Sequence, residues 1–142
     1  MGSPPGTDEI RRAAEFRFAL RRFSAASDRL VRASGLTPRR YLLLLALESA
    51  AARGHRVAVG DLVGLLLLAQ STVTGLIDRA EHAGLVARTQ AAHDARVVNV
   101  DATAEGRRRF TSAFAALEGE RSALALALAP LLDANRMERP QA

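Results

Sequence analysis

Apolar positions follow a helical rhythm at both ends of the chain and switch to a strand rhythm in one stretch between them. Residues 1–7, with the run Gly2-Ser3-Pro4-Pro5-Gly6, read as a disordered leader. The helical pattern begins at Asp8, and Asp8 and Glu9 suit a first helical turn, where a carboxylate meets the positive end of the macrodipole. Phe16, Leu20, Phe23, Ser27 and Leu30 fall on one stripe, while Arg17, Arg21, Arg22 and Arg29 fill much of the rest. The spacing predicts a long amphipathic helix to about residue 33, ended by Gly35. Thr37 and Pro38 then restart the chain as N-cap and first helical residue. The helix from 38 to about 52 carries Tyr41-Leu42-Leu43-Leu44-Leu45-Ala46-Leu47, apolar all round, and is expected to be the central buried helix.

Residues 53–58 form a short extended connection. Asp61-Leu62-Val63-Gly64-Leu65-Leu66 then reads as a short helix and Leu67-Leu68-Ala69-Gln70 as a tight connection. A second helix opens Ser71-Thr72-Val73-Thr74, with Val73, Leu76, Ile77 and Ala80 repeating at 3, 4 and 7. That spacing leaves Ser71, Thr72, Thr74, Gly75, Asp78 and Arg79 largely on the outer side. Small hydroxyl residues at the start of such a helix can approach a DNA backbone and base edges closely, as the second helix of a helix-turn-helix does. The helix stops at Gly84. Two extended runs, 85–89 and 96–101, flank a polar turn at 91–95, and a helix followed at once by a two-stranded ribbon is a winged helix. The pattern alone also fits a small helical domain with an incidental hairpin.

Thr103 caps a further helix running through Phe110, Phe114, Leu117 and Arg121, with Arg107, Arg108 and Arg109 in its first third. Those arginines can approach phosphate or simply form a solvated helix face. Pro130 interrupts a final pattern of Leu124, Leu128, Leu131 and Leu132, and from Asn135 the chain reads as a loose tail. The last helices are too apolar along one side to stand free, so with the first helix they are expected to form a dimer interface. The organisation expected is a leader at 1–7, a dimerisation helix at 8–36, a winged helix-turn-helix at 37–102, dimerisation helices at 103–134 and a tail at 135–142. The fold class is mainly α with a small β wing.

The combination Ser71-Thr72-Val73-Thr74, Leu85-Val86, Asp94-Ala95-Arg96 and Thr103-Ala104-Glu105-Gly106 resembles the MarR-type transcriptional regulators over roughly residues 8–132. The resemblance implies a sequence-specific DNA-binding regulator, a repressor released by a small-molecule ligand, that binds an inverted repeat in double-stranded DNA as a homodimer. Gln70, Ser71, Thr72 and Thr74 would supply phosphate or base contacts. Arg96, oriented by Asp94, would enter the minor groove, where such a contact reads mainly shape. Arg88 is a further candidate for DNA or a brace of the wing. In this family the second helix lines a ligand cavity near the dimer helices, so Tyr41, Arg17 and Arg21 are the candidates to meet a small aromatic or lipophilic anion, against ordinary roles as a core anchor and solvated arginines.

The chain departs from the pattern at three places. Leu67 stands where the tight turn normally has glycine, and a leucine forced to positive φ would carry strain of about 1 to 3 kcal/mol. Gly64 and Leu65 replace charged residues on the outer face of the first motif helix. Gly75 replaces a long polar or basic side chain, which loses a base contact and lowers helix propensity by up to ~1 kcal/mol. These departures keep open an alternative, a winged-helix protein acting mainly through protein contacts with weak or non-specific DNA binding.

Composition adds limits. All 20 basic residues are arginines against 15 acids, and the resulting +5 favours a polyanion only weakly when spread over a whole chain. Absence of cysteine excludes a disulfide framework and a thiol switch within the chain. Apolar runs are shorter than a membrane span and no secretory segment opens the chain, so no membrane partner and a cytoplasmic location are expected. His55 and His93 are isolated, His82 with Asp78 at i and i+4 is an ordinary helix-surface pair, and Glu48, Asp61, Asp78 and Glu81 show no common cleft, so neither an enzyme nor a metal or other cofactor is expected.

Overall fold

The computed structural model describes residues 4–137. In chain order these form α1 (Thr7–Ala33), α2 (Pro38–Ala51), β1 (Val57–Ala58), α3 (Val59–Leu66), α4 (Gln70–His82), β2 (Val86–Ala91), β3 (Asp94–Ala102), α5 (Ala104–Ala116) and α6 (Glu118–Met137). The mainly helical fold with one small sheet is the expected class. Two compact units emerge, one of residues 31–115 and one of the two ends of the chain.

The first unit is a winged helix. Thr37 caps α2 by accepting the Arg40 N–H at 3.2 Å, with Pro38 as the first helical residue. At α3 the cap position is Ala58, which has no acceptor. Asp61 compensates in part by accepting the Ala58 N–H at 3.0 Å, the return half of a capping box. A bend of 113° separates α3 from α4, within the range of helix-turn-helix pairs. Strands pair antiparallel in the order β1-β3-β2, so the two-residue β1 is the edge strand of the wing sheet. Leu43, Leu44, Leu62, Val73, Ile77, Leu85 and Val100 are at most 1% exposed and make the core, each worth about 1.5–3 kcal/mol of transfer free energy.

Gly84 closes α4 and aims the wing. Its φ of 74° lets the Leu85 N–H reach the Ala80 carbonyl at 2.9 Å and the Gly84 N–H reach Glu81 at 2.9 Å. This pair of bonds is a Schellman cap, completed by the buried contact positions Ala80 and Leu85. α5 packs where β2 begins. A Cβ at Gly106 would lie 2.0 Å from the Leu85 carbonyl oxygen, so only glycine fits there.

Several elements differ from expectation. α2 is not buried all round: Leu43, Leu44 and Leu47 share the inward face, and helical geometry turns Leu42 outward, 48% exposed. Extended pairing continues to Ala91 and resumes at Asp94, leaving only Ala92 and His93 as the turn. The helix after Thr103 breaks at Leu117, which is buried, and α6 restarts at Glu118. Pro130 lies inside α6 rather than ending it, although it has no N–H to give the carbonyl of residue 126. α6 runs to Met137, beyond the point where the tail was expected to start, while the remainder of the tail and residues 1–3 lie outside the described residues.

In the second unit α1 and α6 face one another across a groove lined by Ala19, Arg22, Phe23, Glu120, Ala123, Leu124 and Ala127. Ala19 and Ala26 are buried, but Phe16 stays 40% exposed and Leu20, Phe23 and Leu30 are half-buried. The expected stripe is therefore only partly covered within one chain.

Leu67 has φ 53° and ψ 41°, and among the described residues it is the only non-glycine at positive φ. The strain read from the sequence is real, and with 88% of Leu67 exposed little packing offsets it. Leu67→Gly should therefore raise stability by up to about 1 kcal/mol, the relief of left-handed strain exceeding the entropy glycine returns to the unfolded chain. Gly106→Ala should cost about 2–3 kcal/mol through overpacking on Leu85. Thermal unfolding of both variants checks this; a lower melting temperature for Leu67→Gly, or an unchanged one for Gly106→Ala, contradicts it.

Candidate nucleic-acid interface

The outer side of α4 is built by exclusion. Val73, Leu76, Ile77 and Ala80 turn inward, and Gln70, Ser71, Thr74, Asp78 and Arg79 are exposed, with Thr72 and Gly75 half-buried. Ala69, at the cap position, gives α4 no side-chain acceptor. The first-turn N–H groups are left to water or to an incoming anion, and small hydroxyls at Ser71 and Thr72 stand beside them.

At the wing tip the register jumps between Gln90 and Ala91: Gln90 pairs with Val98 but Ala91 with Asp94, so Ala95, Arg96 and Val97 bulge from β3. The Asp94 carboxylate holds this bulge by accepting the Arg96 backbone N–H at 2.9 Å, an Asx-type turn, and it meets the Arg96 Nε at 3.3 Å. The Arg96 side chain is 92% exposed. A short turn, a bulge and an acid thus present one guanidinium at the far end of the ribbon.

Arg88 is placed differently. From β2 it reaches back to α4, donating to Asp78 Oδ1 and Glu81 Oε2 at 2.5 Å each. Its hydrogen bond to Asp78 is the main cause of a pKa above the ordinary arginine value. Arg88 is thus the brace of the wing, one guanidinium joining β2 to the last turns of α4. Sequence reading could pair Asp78 only with His82, because the fold that brings β2 beside α4 is not a local property.

A second node ties the module to α5. Thr103 Oγ1 donates to the Gly84 carbonyl at 2.6 Å and accepts the Gly106 N–H at 3.0 Å, while the Thr103 N–H bonds the Leu85 carbonyl at 3.0 Å. The arginines at the start of α5 are held by acids. Arg107 pairs with Glu48, and Arg108 and Arg109 both pair with Glu105. Hydrogen bonds from Arg108 and then Arg109 hold the Glu105 carboxyl down to about 2. These internal pairs favour the solvated helix face over a phosphate site.

The three ligand candidates are divided between the two units. Tyr41 is buried and stacks on Phe110 with ring centroids 5.7 Å apart, as a core anchor does. Arg17 lies in the other unit, beside an open groove of about 810 Å³ lined by Glu9, Arg12, Ala13, Phe16, Leu131 and Leu132. Arg21 is exposed on α1. Among the described residues no group of three or more His, Cys, Asp or Glu side chains could hold a metal ion, and no single helix is long and apolar enough to cross a membrane.

With this geometry in view, the class is a winged helix-turn-helix protein. The model of the MarR family matches residues 34–97, the segment from the turn after α1 to the wing bulge. Solved structures are similar over nearly the whole chain. AbsC, a MarR family transcriptional regulator from Streptomyces coelicolor, is 20% identical and superposes with a TM-score of 0.71, covering 96% of this chain and all of its own. Apo MarR from E. coli gives a TM-score of 0.71 at 15% identity, over 97% of this chain and all of that one. A MarR family regulator from Rhodococcus sp. RHA1 is 26% identical with a TM-score of 0.67, over 87% of this chain and 83% of its own. No curated protein matches. The chain is a winged helix-turn-helix protein that is similar to the MarR family over residues 34–97 and shares the fold of MarR family transcriptional regulators over nearly its whole length.

If Arg88 couples the wing to α4, its loss should loosen the ribbon more than it melts the fold. Arg88→Met should cost about 1 kcal/mol in global stability, as a part-exposed two-acid pair allows, while amide exchange in 86–101 speeds up. Wing amides exchanging at wild-type rates would contradict this.

Proposed function

We propose that the protein regulates transcription by binding an inverted repeat in double-stranded DNA as a homodimer, acting as a repressor that a small ligand releases. The observation that carries this reading is α4 itself. It is a recognition helix with an uncapped start, exposed Gln70, Ser71 and Thr74 and half-buried Thr72, set in a winged unit whose bulged tip exposes Arg96. In this reading Gln70, Ser71, Thr72 and Thr74 touch phosphates or major-groove base edges, and Arg96, set by Asp94, enters the minor groove. A mutant E. coli MarR, 17% identical with a TM-score of 0.71, has been solved complexed with operator DNA, which supports the assignment.

Dimerisation rests on apolar surface. Ile10, Phe16, Phe18, Leu126 and Leu132 of the terminal helices are each 40% exposed or more, and a second copy would cover them. Release by a ligand draws support from BpsR of Bordetella bronchiseptica, 22% identical with a TM-score of 0.67, whose DNA binding is regulated by 6-hydroxynicotinic acid. An aromatic or lipophilic anion is the ligand class, and the groove beside Arg17 is a place where apolar walls and arginine coexist. Such a ligand must bind the released and DNA-competent conformations unequally. Exposed Leu65 and Leu67, 59% and 88%, favour the second reading, in which the face beside the turn docks another protein and DNA binding is weak.

The test is binding to fragments recovered from a randomised duplex pool. The wild-type protein should select an inverted repeat and sediment as a dimer at micromolar concentration, with affinity falling steeply as salt rises. Arg96→Ala should weaken binding roughly tenfold with the dimer intact, and at least one compound of an aromatic-acid panel should lower affinity. A monomer with no selected sequence supports the protein-docking reading instead; a selected site that no compound affects leaves a constitutive DNA-binding protein.

A further inference from the structure

Gly75 is the position where the recognition helix lacks the long side chain its type carries, yet the space above it is filled. A Cβ built on Gly75 would stand 3.1 Å from the Arg79 Nη1 and 3.9 Å from its Cζ. We propose that Arg79 is a specificity-determining residue of the DNA contact, its guanidinium laid back over Gly75 to read a guanine in the major groove. The inference rests on the DNA-binding reading above and adds to it a residue and a base.

Helical side chains lean toward the N-terminus, so residue 79 covers the surface one turn before its own Cα. With a rise of about 1.5 Å per residue, a reach back over four positions moves the guanidinium about 6 Å toward the start of α4, where base-reading side chains of such helices lie. Positions 72, 75 and 79 form one strip, so Arg79 lies on the side of α4 that carries Thr72. The adjoining strip holds Thr74, Asp78 and Glu81, and Arg88 already bridges its two acids.

Charge separates the two arginines. Among the described residues no carboxylate pairs with Arg79, and its helical neighbours at three and four positions are Gly75, Leu76, His82 and Ala83. Its backbone is held within α4, and its carbonyl accepts the Ala83 N–H at 3.1 Å and a long contact from Arg40 Nη2 at 3.5 Å. The result is an uncompensated fork on an anchored stem. Arginine meets the O6 and N7 of guanine with two parallel hydrogen bonds from one rigid planar fork, a geometry that the compact ammonium of lysine does not reproduce. Glycine at 75 is then a clearance, since any side chain there would push the fork aside.

The experiment compares wild type, Arg79→Ala, Arg79→Lys and Gly75→Ala as full-length chains on the duplex pool selected by wild type, with each position of a half-site varied in turn. Arg79→Ala should lose at least tenfold preference for guanine at one base pair per half-site and keep its preferences elsewhere. Arg79→Lys should hold the salt slope but lose the same preference, and Gly75→Ala should shift that base pair alone. Uniform weakening by Arg79→Ala, with a shallower salt slope and full rescue by Arg79→Lys, makes Arg79 a phosphate contact and overturns the proposal. Unchanged preferences overturn it as well. If Arg79→Ala fails to fold, the lysine and Gly75→Ala variants decide. Wild type that selects no sequence defeats the DNA reading itself, an outcome distinct from the others.

Discussion

Four elements of the winged unit cross at one peptide group, the carbonyl of Leu85. It accepts the Thr103 N–H at 3.0 Å, lies against Gly106 where a Cβ would stand 2.0 Å away, and belongs to a residue that is fully buried. The same residue's N–H closes α4, and the Gly84 carbonyl just before it accepts the Thr103 hydroxyl. The end of α4, the start of β2, the end of β3 and the start of α5 are thereby fixed by three hydrogen bonds and one steric limit. Each is modest alone, about 1 kcal/mol, but together they leave the ribbon a single exit angle. Thr-x-x-Gly is a physical necessity here, because threonine must cap α5 and bond α4 at once, and glycine must admit the backbone of β2.

Two arginines then divide the surface that this crossing presents. Arg88 is tied to Asp78 and Glu81, which offsets one of the two negative charges on the flank of α4 and sets the wing beside it. Arg96 at the bulge keeps only a loose hold on Asp94 and is almost wholly exposed. A module that approaches a polyanion benefits from this order: the acids next to the helix are partly neutralised, and an exposed guanidinium lies at the rim. The modest +5 of the whole chain conceals it, since many arginines elsewhere, such as Arg108 and Arg109 on Glu105, are paired within the chain.

Local signals were legible. Gly35, Thr37-Pro38, Gly84 and the threonine before α5 announced where helices stop and start, because caps are short-range chemistry. The apolar spacing of Val73, Leu76, Ile77 and Ala80 fixed the inner face of α4, and Leu67 announced its own strain. What depended on distant partners was less legible. Leu42 sat in an unbroken apolar run, and periodicity cannot say which of seven apolar residues lacks a neighbour. The break at Leu117 carries no glycine or proline. Arg88 could be placed on the wing but not on its acids, and Gly75 read as a loss because the residue that lies over it is four positions away.

Hydroxyl-radical and methylation footprinting on a selected duplex tests the central claim, that α4 and the wing read DNA as one rigid module, most directly. The geometry predicts protected guanine N7 positions in two major-groove segments about one helical turn apart, each flanked by minor-groove protection from the wing. Protection limited to phosphates, with no fixed register and no minor-groove flank, would contradict it.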